Sequence, residues 1–253
     1  MNGSAVDWID QGIVLASRPY GEGAAIVSAL TAEHGRHAGL VQGGLSARQR
    51  PIYQSGNLLR LEWRARLTEH LGRYRGELID ANAARVLDDA TALAGLLAAC
   101  STIDAALPER EPHPALFDAL SIFVGALGHE GWPMIYVRLE LGLLQELGYG
   151  LDLASCALTG ETTDLAYVSP RTGRAVTRQA GIPWRDKLLA LPPFLAGDGV
   201  RVPATSEELA NGLALTGHFL EHHVFWPHNK PLPPARGRLM EILQRNAADK
   251  GGE

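Results

Sequence analysis

The first 80 residues carry short apolar runs separated by glycine-rich turns. Segment 58–67 alternates apolar and polar residues, which is the two-residue period of a half-buried strand. Four other runs have the length and flanking turns of strands: 12–16, 25–30, 37–41 and 70–79. Five short strands in so few residues predict a small β-barrel rather than a sandwich.

After residue 80 the chain becomes rich in Ala and Leu and poor in β-branched residues, a composition that favours helices. Three segments share this pattern: 81–106, 115–127 and 133–147. A helical pattern returns from Trp184 onward, with Ser206 as a predicted N-cap before two glutamates. The second part of the chain is therefore predicted to be mainly helical.

Residues 149–182 interrupt the helical pattern with a short, polar, turn-rich stretch. Two apolar pieces flank a Pro/Gly turn, which predicts a β-hairpin inserted between helices. The fold class is thus α+β multidomain, with a barrel domain at 1–80 and a helical domain at 81–253 that contains the insertion at 149–182.

Composition narrows the class of protein. The chain has 253 residues, of which 46% are hydrophobic, so it is globular and long enough for more than one core. No apolar run approaches the ~20 residues that a membrane helix needs, and the N-terminus lacks a basic start followed by an apolar stretch. Two cysteines provide no disulfide framework. We expect a cytoplasmic protein without a membrane partner.

Charge is distributed unevenly along the chain. The whole chain carries −5, but residues 11–75 hold nine arginines against four glutamates, a net +5, so the remainder carries −10. A basic module attached to an acidic body is typical of a protein that handles polyanions on one domain. A chance cluster of solvated charges is the alternative.

The barrel segment interleaves arginines with aromatic residues. Binders of single-stranded nucleic acid need cations for phosphates and aromatic rings on which bases stack. The candidate DNA-contacting residues are Arg18, Tyr20, Arg36, Arg48, Arg50, Arg64, Arg66, Arg73 and Arg75. Trp63 and Tyr74 are either part of this surface or part of the barrel core.

No motif in the chain requires an enzyme. The Gly-x-Ser-x-Gly elbow is absent, and the basic loop 43–50 lacks the Gly-Lys-Ser/Thr of a phosphate-binding loop. His218 and His222 have the four-residue spacing of metal-binding helices, but no Glu follows His218. We expect a non-enzymatic protein; a metalloenzyme that uses the histidines near Trp226 is a further alternative.

The order of these features resembles the RecO family of DNA repair and recombination mediators. The resemblance rests on the opening strands, which read Gly12-Ile-Val-Leu15, Tyr20-Gly-Glu22, His34-Gly-Arg36 and Gly39-Leu-Val41, and it runs over essentially the whole chain. It implies an N-terminal OB-fold, a helical domain and a zinc-ribbon-like insertion.

The insertion departs from the family pattern. Many RecO proteins carry two Cys-x-x-Cys pairs there, whereas the matching positions are Cys156, Thr159, Thr177 and Ala180. Because Thr and Ala cannot complete a tetrahedral zinc site, we expect the hairpin without zinc and a protein without a cofactor.

The resemblance also implies partners. RecO-like proteins bind single- and double-stranded DNA without sequence preference, anneal complementary strands and, with RecR, help to load RecA onto DNA coated by single-strand-binding protein (SSB); RecF is a possible further partner. They bind the C-terminal tail of SSB on the helical domain, where the candidate residues are Tyr136, Arg138 and Leu139.

A second basic stretch matches one near the family's C-terminus. Lys230, Arg236 and Arg238 would extend the DNA surface there, and a solvated Pro-rich loop is the alternative. For the whole protein, the alternative function is a protein-interaction adaptor that binds no DNA and uses the barrel for docking. We expect the family role to place the protein at the nucleoid.

Overall fold

The computed structural model describes residues 6–196 and 204–250. Five strands form a closed barrel in the order β1-β2-β3-β5-β4, which confirms the predicted small barrel and corresponds to an OB-fold. The strands are β1 Val6–Tyr20, β2 Ala24–Thr31, β3 Gly35–Val41, β4 Leu58–Ala65 and β5 Arg73–Asp80.

Alternation along β4 fixes which side chains enter the barrel. Leu59, Leu61 and Trp63 are fully buried, whereas the residues between them are exposed. Trp63 donates a hydrogen bond from its indole Nε1 to the Leu71 carbonyl at 3.0 Å. Gly72 has a φ of +65°, and a Cβ there would lie 2.4 Å from the Trp63 ring, so glycine permits this packing.

The barrel closes through one parallel contact. All other strand pairs are antiparallel, but β3 and β5 run parallel and are in register only at Leu40 and Arg73. The backbone N–H of Leu40 donates to the Gly72 carbonyl at 3.1 Å. This joint is consequently much shorter than the β1–β4 or β4–β5 ladders.

The chain divides into two compact units after Gly128. The first unit contains the barrel and three helices: α1 Asn82–Arg85, α2 Ala90–Ala106 and α3 Pro114–Ala126. The single helix expected over 81–106 is therefore two helices. The break occurs before Asp89, whose side chain caps α2 by accepting hydrogen bonds from the backbone N–H groups of Thr91 and Ala92.

The second unit contains the remaining helices and a small sheet. Its elements are α4 Trp132–Glu146, β6 Leu165–Val168, β7 Ala175–Thr177, α5 Arg178–Gly181, β8 Leu189–Ala190, α6 Ser206–Phe219 and α7 Pro234–Lys250. The predicted hairpin is β6 and β7, and β8 adds a third antiparallel strand beside β6.

The expectation of a helix from Trp184 onward was wrong for its first part. Residues Ile182–Lys187 and Pro193–Leu195 form short 3-10 helices, and the α-helix begins only at Ser206. Prolines at 183, 192 and 193 remove backbone donors that a continuous helix requires. The N-cap is Thr205 rather than Ser206, since Thr205 and Glu208 form a reciprocal capping box.

A buried ion pair joins the helices of the second unit. Glu140 of α4 and Arg236 of α7 are 2% and 3% exposed and contact each other at 2.7 Å. Thr216 of α6 also donates to the Glu140 carboxylate. Within the described ranges, no helix is long and apolar enough to cross a bilayer.

Candidate nucleic-acid interface

The outer face of β1, β4 and β5 is a regular grid of charged residues. The strand register places Arg64 between Asp7 of β1 and Arg73 of β5. The next rows place Glu62 opposite Arg75, and Arg60 opposite Glu77. Because side chains alternate across a strand, all of these residues face away from the core. The arginines are brought together by register, since they lie on two strands separated by a loop.

A groove of about 700 Å³ runs along this face beside the joint between β3 and β5. Its charged lining residues are Arg60, Glu62, Arg64, Arg73, Arg75 and Glu77. Four guanidinium groups against two carboxylates give the groove a net positive charge. A concave, basic channel of this kind can hold the phosphates of an extended polyanion.

The arginines of the groove differ in how firmly they are paired. Arg60 lies 3.9 Å from Glu77 and Arg64 lies 3.6 Å from Asp7, and these four side chains are more than half exposed. Such surface pairs contribute little and are easily exchanged for another anion. Arg73 and Arg75 form no ion pair with any carboxylate among residues 6–196 and 204–250. Their positive charge is available to a ligand.

Arg64 and Arg73 lie directly opposite each other on neighbouring antiparallel strands. Like charges at such positions repel and reduce sheet stability. A bound phosphate between them would remove that repulsion. This pair is the feature of the groove that most directly indicates an anionic ligand.

Three other predicted arginines lie in the segments that connect the strands. Arg48 and Arg50 are exposed in the turns between β3 and β4, and Arg66 is exposed just after β4. The lining of the groove includes none of the three, although Gln49 between the first two does contact it. They stay predictions for DNA contact.

Arg18 and Arg36 are instead bound to the end of α2. Asp104 accepts from Arg18 at 3.0 Å and lies 3.4 Å from Arg36. Arg36 also donates to the Leu107 carbonyl at 2.9 Å and lies 3.5 Å from Glu109, and its side chain is only 17% exposed. The structure therefore corrects the role of Arg36: its largely buried guanidinium is paired with Asp104 and Glu109 and holds the α2 end against the barrel.

The aromatic residues of the barrel are divided between surface and core. Tyr20 is 55% exposed next to the β1–β2 turn and remains available to stack on a base. Tyr53, Trp63 and Tyr74 are all less than 5% exposed, so they belong to the core. Stacking on Trp63 or Tyr74 is excluded by their burial.

Rings at one end of the barrel surround a histidine. Trp8 stacks on His34 at 4.3 Å and lies edge-on to His37 at 5.0 Å. His37 is 3% exposed, and this burial lowers its pKa to about 4, against a hydrogen bond to the Ala38 carbonyl that raises it. His37 is neutral at physiological pH and packs as a core residue.

The sequence-based selection missed part of the groove. Arg60 was counted in the net charge but was not selected, although it shares the exposed face of β4 with Arg64. The two-residue alternation of buried and exposed positions along β4 places Arg60 on the same face as Arg64 and so predicts it. Gln42 and Gln49 also line the groove, and no pattern in the sequence marks them.

The C-terminal basic stretch is not uniform. Lys230 and Arg238 are exposed. Arg236 is 3% exposed and donates to Glu140, the Leu213 carbonyl and Thr216. The assignment of Arg236 to a DNA surface was wrong, because its guanidinium is hydrogen-bonded inside the second unit, which we call the helical unit.

The predicted SSB-tail residues are only partly accessible. Tyr136 and Leu139 are 1% and 4% exposed, so neither lines an open pocket. Tyr136 donates to Glu140 at 2.8 Å. Arg138 is exposed and donates one hydrogen bond to the Phe194 carbonyl at 2.8 Å. Of the three, Arg138 alone can present a charge to a partner.

The four positions predicted to match the zinc ligands of other RecO proteins partly converge. The backbone N–H of Thr177 donates to Cys156 Sγ at 3.3 Å, and the two side chains lie 3.7 Å apart. Burial opposes ionisation of the thiol, but hydrogen bonds from Thr159, Thr177 and Leu158 outweigh it and lower the pKa of Cys156 to about 6. Among the described residues no group of three or more His, Cys, Asp or Glu is arranged to hold a metal ion.

The histidines near the end of α6 form ring contacts with one another. His218 and His222 have ring centroids 4.0 Å apart, and His222 lies 4.2 Å from Trp226. A second set joins Tyr149 to His223 at 5.2 Å and His223 to Phe219 at 5.8 Å.

Comparison with known proteins gives matches over nearly the whole chain. Residues 4–82 match the family model "Recombination protein O N terminal" and residues 87–232 match "Recombination protein O C terminal". The junction between the two models lies next to the end of β5. A DNA repair protein RecO from Rhodospirillum centenum is 55% identical over 97% of this chain and 98% of its own length. Proteins of the same name from Rhodospirillum rubrum and Phenylobacterium zucineum are 49% and 52% identical over 97% and 94% of this chain, and over 100% and 98% of their own lengths.

Proposed function

The chain belongs to the RecO family of DNA repair proteins, and on that premise we propose that it is a non-enzymatic recombination mediator whose barrel groove holds DNA. The observation that carries the proposal is the Arg64–Arg73 pair in a groove lined by two further arginines. A phosphate bound between the two guanidinium groups attracts both of them, which offsets their mutual repulsion. The groove contacts backbone rather than base edges, so binding is independent of sequence.

The mechanism that we propose is electrostatic. A strand in the groove releases counterions as its phosphates meet Arg60, Arg64, Arg73 and Arg75. Partial neutralisation reduces the repulsion between this strand and a complementary one, and bases that the groove leaves free then pair. The same property serves single- and double-stranded DNA, and it requires no covalent step.

The helical unit is the proposed site for partner proteins. Arg138 supplies a cation for the carboxylates of an SSB tail, while Tyr136 and Leu139 support its helix from the core. Docking there, together with RecR and with RecF as a further partner, would bring the barrel to SSB-coated DNA on which RecA is to be loaded. Loss of tail-peptide affinity in Arg138→Ala, with no change in DNA binding, is the expected signature.

The insertion at 149–182 is proposed to be a zinc-ribbon-like module that has lost its metal. This origin is supported by three features of the insertion: its hairpin, the contact between Cys156 and Thr177, and the N–H donors around the sulfur. Local hydrogen bonds occupy the place of metal ligation.

The test is fluorescence-anisotropy titration of a labelled dT oligonucleotide over a salt series. The pair Arg64→Ala/Arg73→Ala should weaken binding and reduce the salt slope by about 1.4, since each lost phosphate contact in a single strand removes about 0.7. Arg178→Ala/Arg185→Ala removes the same charge from exposed positions in the second unit and is the matched control. Absence of binding by the wild type at low salt would reject the proposal in favour of the adaptor.

A further inference from the structure

A row of three aromatic rings lies on the surface of the helical unit, well away in sequence from the barrel. His218, His222 and Trp226 follow one another at four-residue spacing, with centroid distances of 4.0 and 4.2 Å. Residues four apart lie on one face of a helix. The row ends in Trp226, which is 53% exposed. We call these three residues the ring row.

The backbone that carries the ring row departs from a regular helix. After Phe219 the chain forms a π-helix over Leu220–Phe225 and a 3-10 turn over Trp226–His228. Turns of the π type are rare and occur frequently at functional sites. His222 Nδ1 lies 2.8 Å from the His218 carbonyl and, as the protonated nitrogen, donates to it, which fixes the orientation of the middle ring.

A tight turn after Trp226 brings one cationic residue, Lys230, close along the chain. Asn229 adopts a left-handed φ of 53°, which reverses the chain, and the Lys230 backbone N–H returns to the Phe225 carbonyl at 3.1 Å. The turn therefore places Lys230 next to the end of the ring row. Between His218 and Arg238 the sequence has one carboxylate, Glu221. A half-exposed tryptophan that is followed by a lysine in a tight turn has the chemistry of a base-stacking position.

We propose that the ring row is a second single-strand site, in which an unpaired base stacks on Trp226 and Lys230 contacts the adjoining phosphate. The inference rests on the proposed function, since it assumes that the protein handles DNA. It differs from the barrel groove in kind: the groove contacts phosphates of paired or unpaired strands, whereas the ring row requires a base that is not paired. The ring row therefore binds single-stranded DNA in preference to duplex DNA.

The chain provides a matched control for Trp226. Trp184 is 55% exposed in the same unit and is also flanked by basic residues, with Lys187 Nζ 5.9 Å from its ring. Within residues 6–196 and 204–250, Trp184 has no aromatic neighbour of the kind that Trp226 has. Trp184→Leu and Trp226→Leu thus remove the same side chain at the same exposure.

The experiment compares three labelled probes at one salt concentration: dT20, an abasic oligomer of equal length and a 20-base-pair duplex. Trp226→Leu should weaken binding of dT20 by about fivefold or more, because a stacked base contributes at least ~1 kcal/mol. Affinity for the abasic oligomer and for the duplex should stay within about twofold, and the salt slope for dT20 should not change. Trp184→Leu should leave all three affinities unchanged.

Several outcomes would overturn the ring row as a stacking site. Unchanged dT20 affinity in Trp226→Leu would do so, as would an equal loss on the abasic oligomer, which has no base to stack. If the wild type binds dT20 and Trp226→Leu binds it equally well, the ring-row proposal fails and the proposal for the barrel groove is unaffected. If the wild type binds no probe, both proposals fail together.

Discussion

Arg236 on α7 and Glu140 on α4 form a bidentate ion pair inside the helical unit. Arg236 Nε lies 2.7 Å from Glu140 Oε1, and Nη2 lies 2.9 Å from Oε2. The paired carboxylate raises the pKa of Arg236 above its ordinary value, although burial acts in the opposite direction. Gly217 leaves room for this guanidinium, since a Cβ there would lie 2.8 Å from it.

Removal of Arg236 is expected to destabilise the protein severely. Arg236→Ala leaves Glu140 charged, buried and without its cation, which costs about 3–5 kcal/mol of unfolding free energy. Urea denaturation measures the loss. Arg238→Ala, two residues away and exposed, is the control and should change stability by no more than about 0.5 kcal/mol. Equal effects of the two substitutions would contradict this role of the ion pair.

Arg73 is expected to show opposite effects on stability and binding. Arg73→Ala removes one of two like charges that lie directly opposite across β4 and β5. The unfolding free energy should stay equal or rise by a few tenths of a kcal/mol (about 0.2–0.5), because cross-strand repulsion is relieved. Affinity for dT20 should fall in the same variant. Thermal unfolding and anisotropy on one preparation test both, and a clear loss of stability would show that Arg73 has a structural partner.

His37 should make the protein sensitive to mild acid. Its pKa is about 4 in the folded chain because of burial, against about 6.5 in the unfolded chain. As pH falls from about 6.5 towards 4, the unfolded state takes up a proton that the folded state refuses. Stability then decreases by at most about 1.4 kcal/mol per pH unit from this residue, with no contribution above that window. Urea midpoints from pH 4 to 8 should show a shallower slope in His37→Gln, and an identical slope would assign the effect to other groups.

The insertion should be indifferent to chelators. Cys156 Sγ accepts a hydrogen bond from the Thr177 N–H. Because this contact needs no metal, treatment with EDTA should leave the melting temperature unchanged. If the insertion is the zinc-ribbon-like module proposed above, Thr159→Cys/Thr177→Cys/Ala180→Cys should create a site that takes up one zinc and raises the melting temperature. Elemental analysis of both proteins measures this. Stoichiometric zinc in the unaltered protein would refute the prediction.

The barrel was accessible from the sequence because its signal is local. Alternation along β4 reports directly which side chains are buried, and the predicted and observed strands agree closely there. The extent of β1 was less accessible: this strand begins at Val6, well before the apolar run at 12–16 that marked it. Its N-terminal half contains Asp7 and Asp10, and aspartate is depleted in strands.

The site was only partly accessible, since three-dimensional pairing decides the role of an arginine. Arg36, Arg73 and Arg236 are equivalent in a charge count. Arg36 is bound to Asp104, and Arg236 is buried against Glu140. Arg73 lies in the groove and has no ion pair within the described part of the chain. The partners of Arg36 and Arg236 lie 68 and 96 residues away in sequence, beyond any local pattern.

The parallel joint between β3 and β5 has a consequence for how a ligand would be held. The groove is lined by Leu40 and Val41 from one strand and by Arg73 and Arg75 from the other. A polyanion lying in it would span the place where the barrel wall has the fewest ladder bonds. Bound DNA would then bridge β3 and β5 and restrain the barrel where its strands are least paired. The affinity for DNA and the rigidity of the barrel would therefore increase or decrease together.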